Sequence, residues 1–187
     1  MNAPHIMKKD FPEIRPEAVA LPAGKTLGEW VESRVVRYET RTPDWEALKF
    51  QADLDPKYRR AQLRYIGTGA TGVANDEHAI PAENFTLSTM ILPAGCEGPS
   101  HLHTDAEEVF FILKGNRVRI FVEHKGGRHD VVLRERDCIS VPTGVYLGLV
   151  NEGIEEALMC VMIGNPKPVT PSYPPDHPVA QAKRSKK

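Results

Sequence analysis

Between Arg60 and Ile163 the chain is cut into short apolar runs, each closed by Gly or Pro, and this rhythm limits the fold more than any other feature. Ala61, Leu63 and Tyr65 alternate with Gln62, Arg64 and Ile66, the period-two pattern of a half-buried strand. Residues 85–92, 108–113, 117–123, 130–133, 138–141, 146–150 and 157–163 read as further strands. Pro93-Ala94-Gly95, Gly115, Lys125-Gly126-Gly127-Arg128 and Pro142-Thr143-Gly144 punctuate them. Turn signals every 8 to 12 residues or so, with no long helical segment between them, predict an all-β barrel or jelly roll rather than a parallel sheet with crossover helices.

The flanks differ in composition. Residues 1–60 read as an N-terminal arm with one short helix, capped by Thr42 with Pro43 in the first helical position. The barrel is assigned to residues 61–164. A tail of residues 165–187 carries Pro166, Pro168, Pro171, Pro174, Pro175 and Pro178, which argue against helix or central strand. Its last basic residues, Lys183, Arg184, Lys186 and Lys187, read as a solvated end. Gly67-Thr68-Gly69-Ala70-Thr71-Gly72 lacks both the GxGxxG order and the GKS or GKT ending of a phosphate loop, so it reads as a plain loop.

Charge and composition exclude some functions. Lys plus Arg number 24 and Asp plus Glu 25, a balance that does not fit a nucleic-acid partner. No apolar run approaches the roughly 18 residues of a spanning helix, so no membrane role is expected. Residues 1–24 lack the apolar stretch of a signal peptide. Three cysteines without CxxC spacing argue against a disulfide framework and make a reducing cytoplasm the simplest setting. Cys138 and Cys160 lie in apolar runs and read as buried small hydrophobes, while Cys96 has no base beside it in the sequence.

The chemistry concentrates in His101-Leu102-His103 and Glu108. On an extended chain, residues i and i+2 point to one face, so His101 and His103 form half of a metal site. Glu108 opens the strongly apolar run Val109-Phe110-Phe111-Ile112-Leu113, and a cation shared with two imidazoles gives an acid a reason to be there. Phe110 shares the face of Glu108 and reads as the floor of the pocket. Arg117 and Arg119 share a strand face. From the interior they would hold a carboxylate bidentately; outside, which is favoured, they are solvated. Arg64 and Tyr65 point to opposite faces, so one of them can reach the pocket.

The spacing Gly95-x5-His101-x-His103-x4-Glu108-x6-Gly115 resembles the first conserved motif of the cupin superfamily. Asp137, Pro142-Thr143-Gly144 and Asn151 resemble the second, except that Arg136 stands where a glycine usually precedes the aspartate. The resemblance covers about residues 85–163. It implies a double-stranded β-helix barrel, often dimeric, with a metal in the barrel mouth. Cupins commonly place a third histidine three residues after the second motif's glycine; here that position is Leu147, between Tyr146 and Gly148. Three arrangements stay open. His101, His103 and Glu108 hold a metal alone, as a two-His-one-carboxylate set suited to iron(II). Or a further residue, His78, His124, His129 or Tyr146, completes the shell. Or the site has lost its metal and binds a small ligand through its histidines.

The expected function is that of a small-molecule metalloenzyme. One divalent ion, Fe(II) before Mn, Ni or Zn, would support dioxygenase-like oxidation of a hydroxylated or enolic aromatic or organic acid. Tyr146, Arg117 and Arg119 are the candidate catalytic side chains beside the ligands. A metal-dependent isomerase, decarboxylase or cyclase is the alternative, and a metal-free binding barrel a third reading. A homodimer is expected, with arms exchanged between subunits.

Overall fold

The computed structural model describes residues 20–184. Residues 1–19 of the expected N-terminal arm, and Lys186 and Lys187 of the basic end, lie outside the described residues. Residues up to Val35 form one compact unit and residues from Val36 another. In the first, helix α1 (Leu27–Glu32) begins with a capping box. The Thr26 hydroxyl accepts from the Glu29 N–H at 3.2 Å, and the Glu29 carboxylate accepts from the Thr26 N–H at 2.8 Å. Two amides that the helix cannot satisfy are thereby paired.

The second unit is all-β. Its strands are β1 (Ala61–Ile66), β2 (Thr86–Leu92), β3 (Glu97–His101), β4 (Glu108–Lys114), β5 (Val118–His124), β6 (Gly127–Leu133), β7 (Cys138–Val141), β8 (Tyr146–Asn151) and β9 (Ala157–Ile163). A five-stranded sheet in the order β1-β2-β9-β4-β7 faces a four-stranded sheet in the order β3-β8-β5-β6. All strand pairs are antiparallel. This is the double-stranded β-helix. Alternation builds the core: Met90 and Leu92, Phe110 and Ile112, Val118 and Ile120, Leu147 and Leu149, Met159 and Val161 all turn inward and are buried. Burying each stabilises by about 1.5–3 kcal/mol.

The structure departs from the sequence reading at several points. Strand β3 contains Gly98 and Pro99, residues that suggest a loop, yet it forms because it lies at a sheet edge, where a missing N–H is tolerated. Cys138 is exposed and Cys160 half-buried, because Ile139 and Val161, their neighbours in alternation, take the inward face. The tail does contain a helix, α3 (Pro178–Arg184). Pro178 occupies its first position, where no amide partner is needed, and His177 Nδ1 accepts from the Val179 N–H at 3.2 Å. Val179 is fully buried and anchors the helix.

The helix expected after Thr42 is displaced. Asp44 makes a two-way backbone bridge with Gln62 of β1, and its Oδ1 accepts from the Glu46 and Ala47 amides. The helical turn α2 (Lys49–Ala52) follows. The segment from Val36 to Arg60 belongs to the same compact unit as the barrel. Among the described residues no helix is long and apolar enough to cross a membrane.

Candidate metal centre

His101 ends β3 and sits directly across from Leu147 of β8. Leu102 pairs with Ser172 through two backbone hydrogen bonds of 2.9 and 3.0 Å, so the tail clamps the peptide between the two histidines. The His103 carbonyl accepts from the Gly144 N–H at 2.8 Å. Glu108 opens β4, paired with Val141 on one side and Ile163 on the other. Backbone pairing thus holds all three side chains, which are buried, at one end of the sandwich.

Their donor atoms lie within 4.8 Å of one another, a group that could hold a metal ion. His101 Nε2 stands 3.2 Å and His103 Nε2 3.4 Å from the same Glu108 oxygen, Oε2. The rings meet edge to face, with centroids 5.4 Å apart. Burial alone would raise the Glu108 carboxyl; the imidazole hydrogen bonds and charges overcome it and hold the pKa at about 2. The acid is therefore a carboxylate.

The donor set fits a cation. His101 Nδ1 lies 2.9 Å from the Pro99 carbonyl and its Nε2 faces Glu108, so both ring nitrogens meet acceptors. A neutral imidazole has one N–H and satisfies only one of them. With Nδ1–H given to Pro99, the Nε2 lone pair needs a positive charge between itself and Glu108, either a proton or a metal ion. A backbone carbonyl on the far nitrogen is also the usual way a ligating histidine is oriented. His103 Nδ1 is buried with no partner among the described residues.

The three donors line a cavity of about 70 Å³. One water needs roughly 10–15 Å³ on the same measure, so the space suits a molecule of a few heavy atoms. Phe110 lies on its wall, as the sequence predicts, with Met90, Leu149 and Val161. Tyr146 does not line it, since alternation along β8 gives the inward face to Leu147 and Leu149. Arg117 and Arg119 are outside as well: both pair with Glu152, at 2.9 and 2.6 Å, and Arg119 also with Asp130 at 2.9 Å. Arg64 is buried between Asp44 and Asp76, and neither it nor Tyr65 reaches the cavity. His78, His124 and His129 are exposed and away from the cluster.

Sequence reasoning missed Arg60, Gln62, Gln51, Tyr173 and Lys183, which all line the cavity. Arg60 lies just before β1 and Gln62 within it. Tyr173 and Lys183 come from the tail, and nothing local marks them. Cys96 packs against the core, and burial raises its thiol pKa, the opposite of what a nucleophile needs.

A cupin domain model matches residues 88–164. No curated protein matches the sequence. Among solved structures, an oxalate oxidase in complex with the substrate analogue glycolate is 16% identical over 87% of this chain and 76% of its own, with a TM-score of 0.55. Peruvianin-I, a cysteine peptidase from Thevetia peruviana latex, is 13% identical over 80% of each chain, with a TM-score of 0.57. DMSP lyase DddQ from Ruegeria pomeroyi is 22% identical over 63% of this chain and 52% of its own, with a TM-score of 0.51. At such identities these likenesses establish the fold, and the nine strands, the His-x-His edge and the family model agree on it. Residues 88–164 match the cupin domain, and the double-stranded β-helix that carries them is the fold these solved structures share.

Proposed function

We propose that the protein is a metal-dependent enzyme acting on a small hydroxylated or enolic molecule inside the barrel, with His101, His103 and Glu108 as ligands. The observation that carries this reading is the buried cluster itself: three donors within 4.8 Å, opening onto a cavity. A divalent ion there would act as a Lewis acid toward a substrate oxygen and, if redox-active, would couple the substrate to dioxygen. Two imidazoles and one carboxylate favour Fe(II), with Mn, Ni and Zn as the other candidates.

The chain's own residues do the remaining work. Pro99 and Glu108 fix the His101 ring from both ends. Phe110, Met90, Leu149 and Val161 keep the wall apolar and limit water. Leu147, paired across from His101, cannot ligate a metal, so among the described residues the cluster offers three side chains. Oxidation is favoured because a three-ligand set leaves positions open for two partners at once. The likeness in fold to an oxalate oxidase is in keeping with this reading.

Oxygen uptake tests this directly. The Fe(II)-loaded protein is offered catechols, enols and hydroxy acids in an oxygen-electrode cell, with His103→Ala as control. Substrate-dependent uptake that the variant abolishes is the expected result. Product formation without oxygen would select the isomerase, decarboxylase or cyclase alternative. A metal-free binding barrel is the second reading, favoured by the fully buried leucine at position 147; it predicts ligand binding with no turnover under either condition.

A further inference from the structure

The cavity that holds the three donors also holds a cation without an acid. Arg60, just before β1, is only 7% exposed. Its Nη1 donates to the Tyr58 carbonyl at 3.1 Å, and no carboxylate of the described residues forms an ion pair with it. The barrel's other buried or half-buried arginines behave differently: Arg41 and Arg64 pair with Asp76, and Arg119 with Glu152. Taking a guanidinium out of water costs several kcal/mol unless a partner compensates. Arg60 remains cationic at neutral pH even though burial brings its pKa down to about 10, against the opposing pull of Tyr173 and Glu108.

Three further features of the lining agree. Among the described residues Glu108 is the one acid on the cavity wall, and the two imidazoles already occupy it. A second cation, Lys183 of α3, reaches the same cavity, with its Nζ 4.7 Å from the Tyr173 ring centroid. The amide oxygens of Gln51 and Gln62 are buried, line the cavity and have no partner, so they are acceptors waiting for a donor. A ligand that satisfies this wall brings a negative charge for the cations and an O–H for the amides.

We propose that the ligand is a small carboxylic acid bearing a hydroxyl or enol group, its carboxylate paired with Arg60 and its O–H given to one of the unpaired glutamine oxygens. This names the substrate class of the proposed site and rests on the reading of the cavity as a small-molecule site; it does not depend on the metal. A carboxylate matches the planar fork of arginine, which forms two parallel hydrogen bonds to it. Aliphatic and aromatic acids are both compatible with the apolar wall, provided they are small.

Three near-isosteres separate the contributions. Lactate carries charge and hydroxyl, propionate charge alone, and lactamide hydroxyl alone. Binding to the full chain is measured by calorimetry for wild type, Arg60→Gln and Lys183→Met, with metal content determined on the same samples. Wild type is expected to bind lactate about tenfold or more tighter than lactamide, since charge-assisted hydrogen bonds carry the difference, with propionate between them. Arg60→Gln is expected to erase the lactate-to-lactamide ratio, and Lys183→Met to reduce it. Without ligand, Arg60→Gln should melt no lower than wild type, because it removes an unpaired buried charge. Equal binding of lactate and lactamide, or no binding of either acid to wild type, overturns the proposal, and this comparison needs no variant to fold. If wild type binds no metal but keeps the ratio, the anion site stands and the metal reading falls. If metal binds and the ratio is absent, the reverse holds.

Discussion

Arg136 has a backbone φ of +72°, in the left-handed region that costs an ordinary residue about 1–2 kcal/mol. It occupies the turn between β6 and β7, where the family pattern prefers glycine. Its side chain is exposed, and its N–H donates to the Ile112 carbonyl at 2.9 Å, so the turn holds despite the strain. Arg136→Gly is expected to stabilise by about 0.5–1 kcal/mol, the relief of strain less glycine's extra unfolded entropy. Chemical denaturation checks this; an unchanged or lower midpoint contradicts it. At this scale the sequence is uneven as a guide. His101, His103, Glu108 and Phe110 were legible because period-two alternation and a misplaced acid both signal a face. Leu147 was legible as a departure from a pattern. Arg60 was not, because a lone arginine at a strand entrance looks like any solvated arginine until the cavity wall is known to hold no acid that pairs with it.

Strand β1 is held to its surroundings by ions as well as by its ladder with β2. Arg64 donates to Asp76 at 2.8 Å and to Asp44 at 2.7 Å, and Arg41 donates to Asp76 at 2.9 Å. Burial works to raise both aspartates, but the Arg64 hydrogen bonds and the backbone amides outweigh it and leave each below its ordinary value. The sign follows from linkage: groups depressed in the folded state contribute stability above their ordinary value of about 3.8 and lose it as pH falls through the folded value. Asp76→Ala leaves two buried guanidiniums short of a partner and is expected to destabilise by about 3 kcal/mol at pH 7. The deficit should shrink as pH is lowered below the ordinary value, because wild type loses the same contribution. A deficit independent of pH in that range would contradict this assignment. Elements with strong alternation, such as β7 and β9, were readable to the residue. Strand β3 and helix α3 were not, because their prolines sit at an edge and at a first helical turn, the two positions where proline does no harm.

Over the whole molecule, the outward face of the five-stranded sheet shows Phe111, Leu113 and Met162, each more than a third exposed, beside Cys138. We propose that this face pairs two copies of the chain, since a contiguous apolar sheet surface is costly to leave in water. Light scattering is expected to give twice 20.8 kDa, and Phe111→Lys to shift the protein toward the single-chain mass. A wild-type species at 20.8 kDa contradicts the dimer. The all-β class was readable from turn rhythm alone. The part the tail plays was not: Ser172, Tyr173 and Lys183 reach the site only through a bridge to Leu102 and a helix anchored by Val179, contacts set by long-range packing.

The central claim is that His101, His103 and Glu108 form a metal centre. Its most direct test is the metal content, by plasma mass spectrometry, of protein purified without a nickel column, for wild type and for His101→Ala with matched circular dichroism. Near-stoichiometric metal in wild type that is lost in the variant is the predicted result. Wild type that stays empty after exposure to Fe(II), Mn, Ni and Zn would contradict the account.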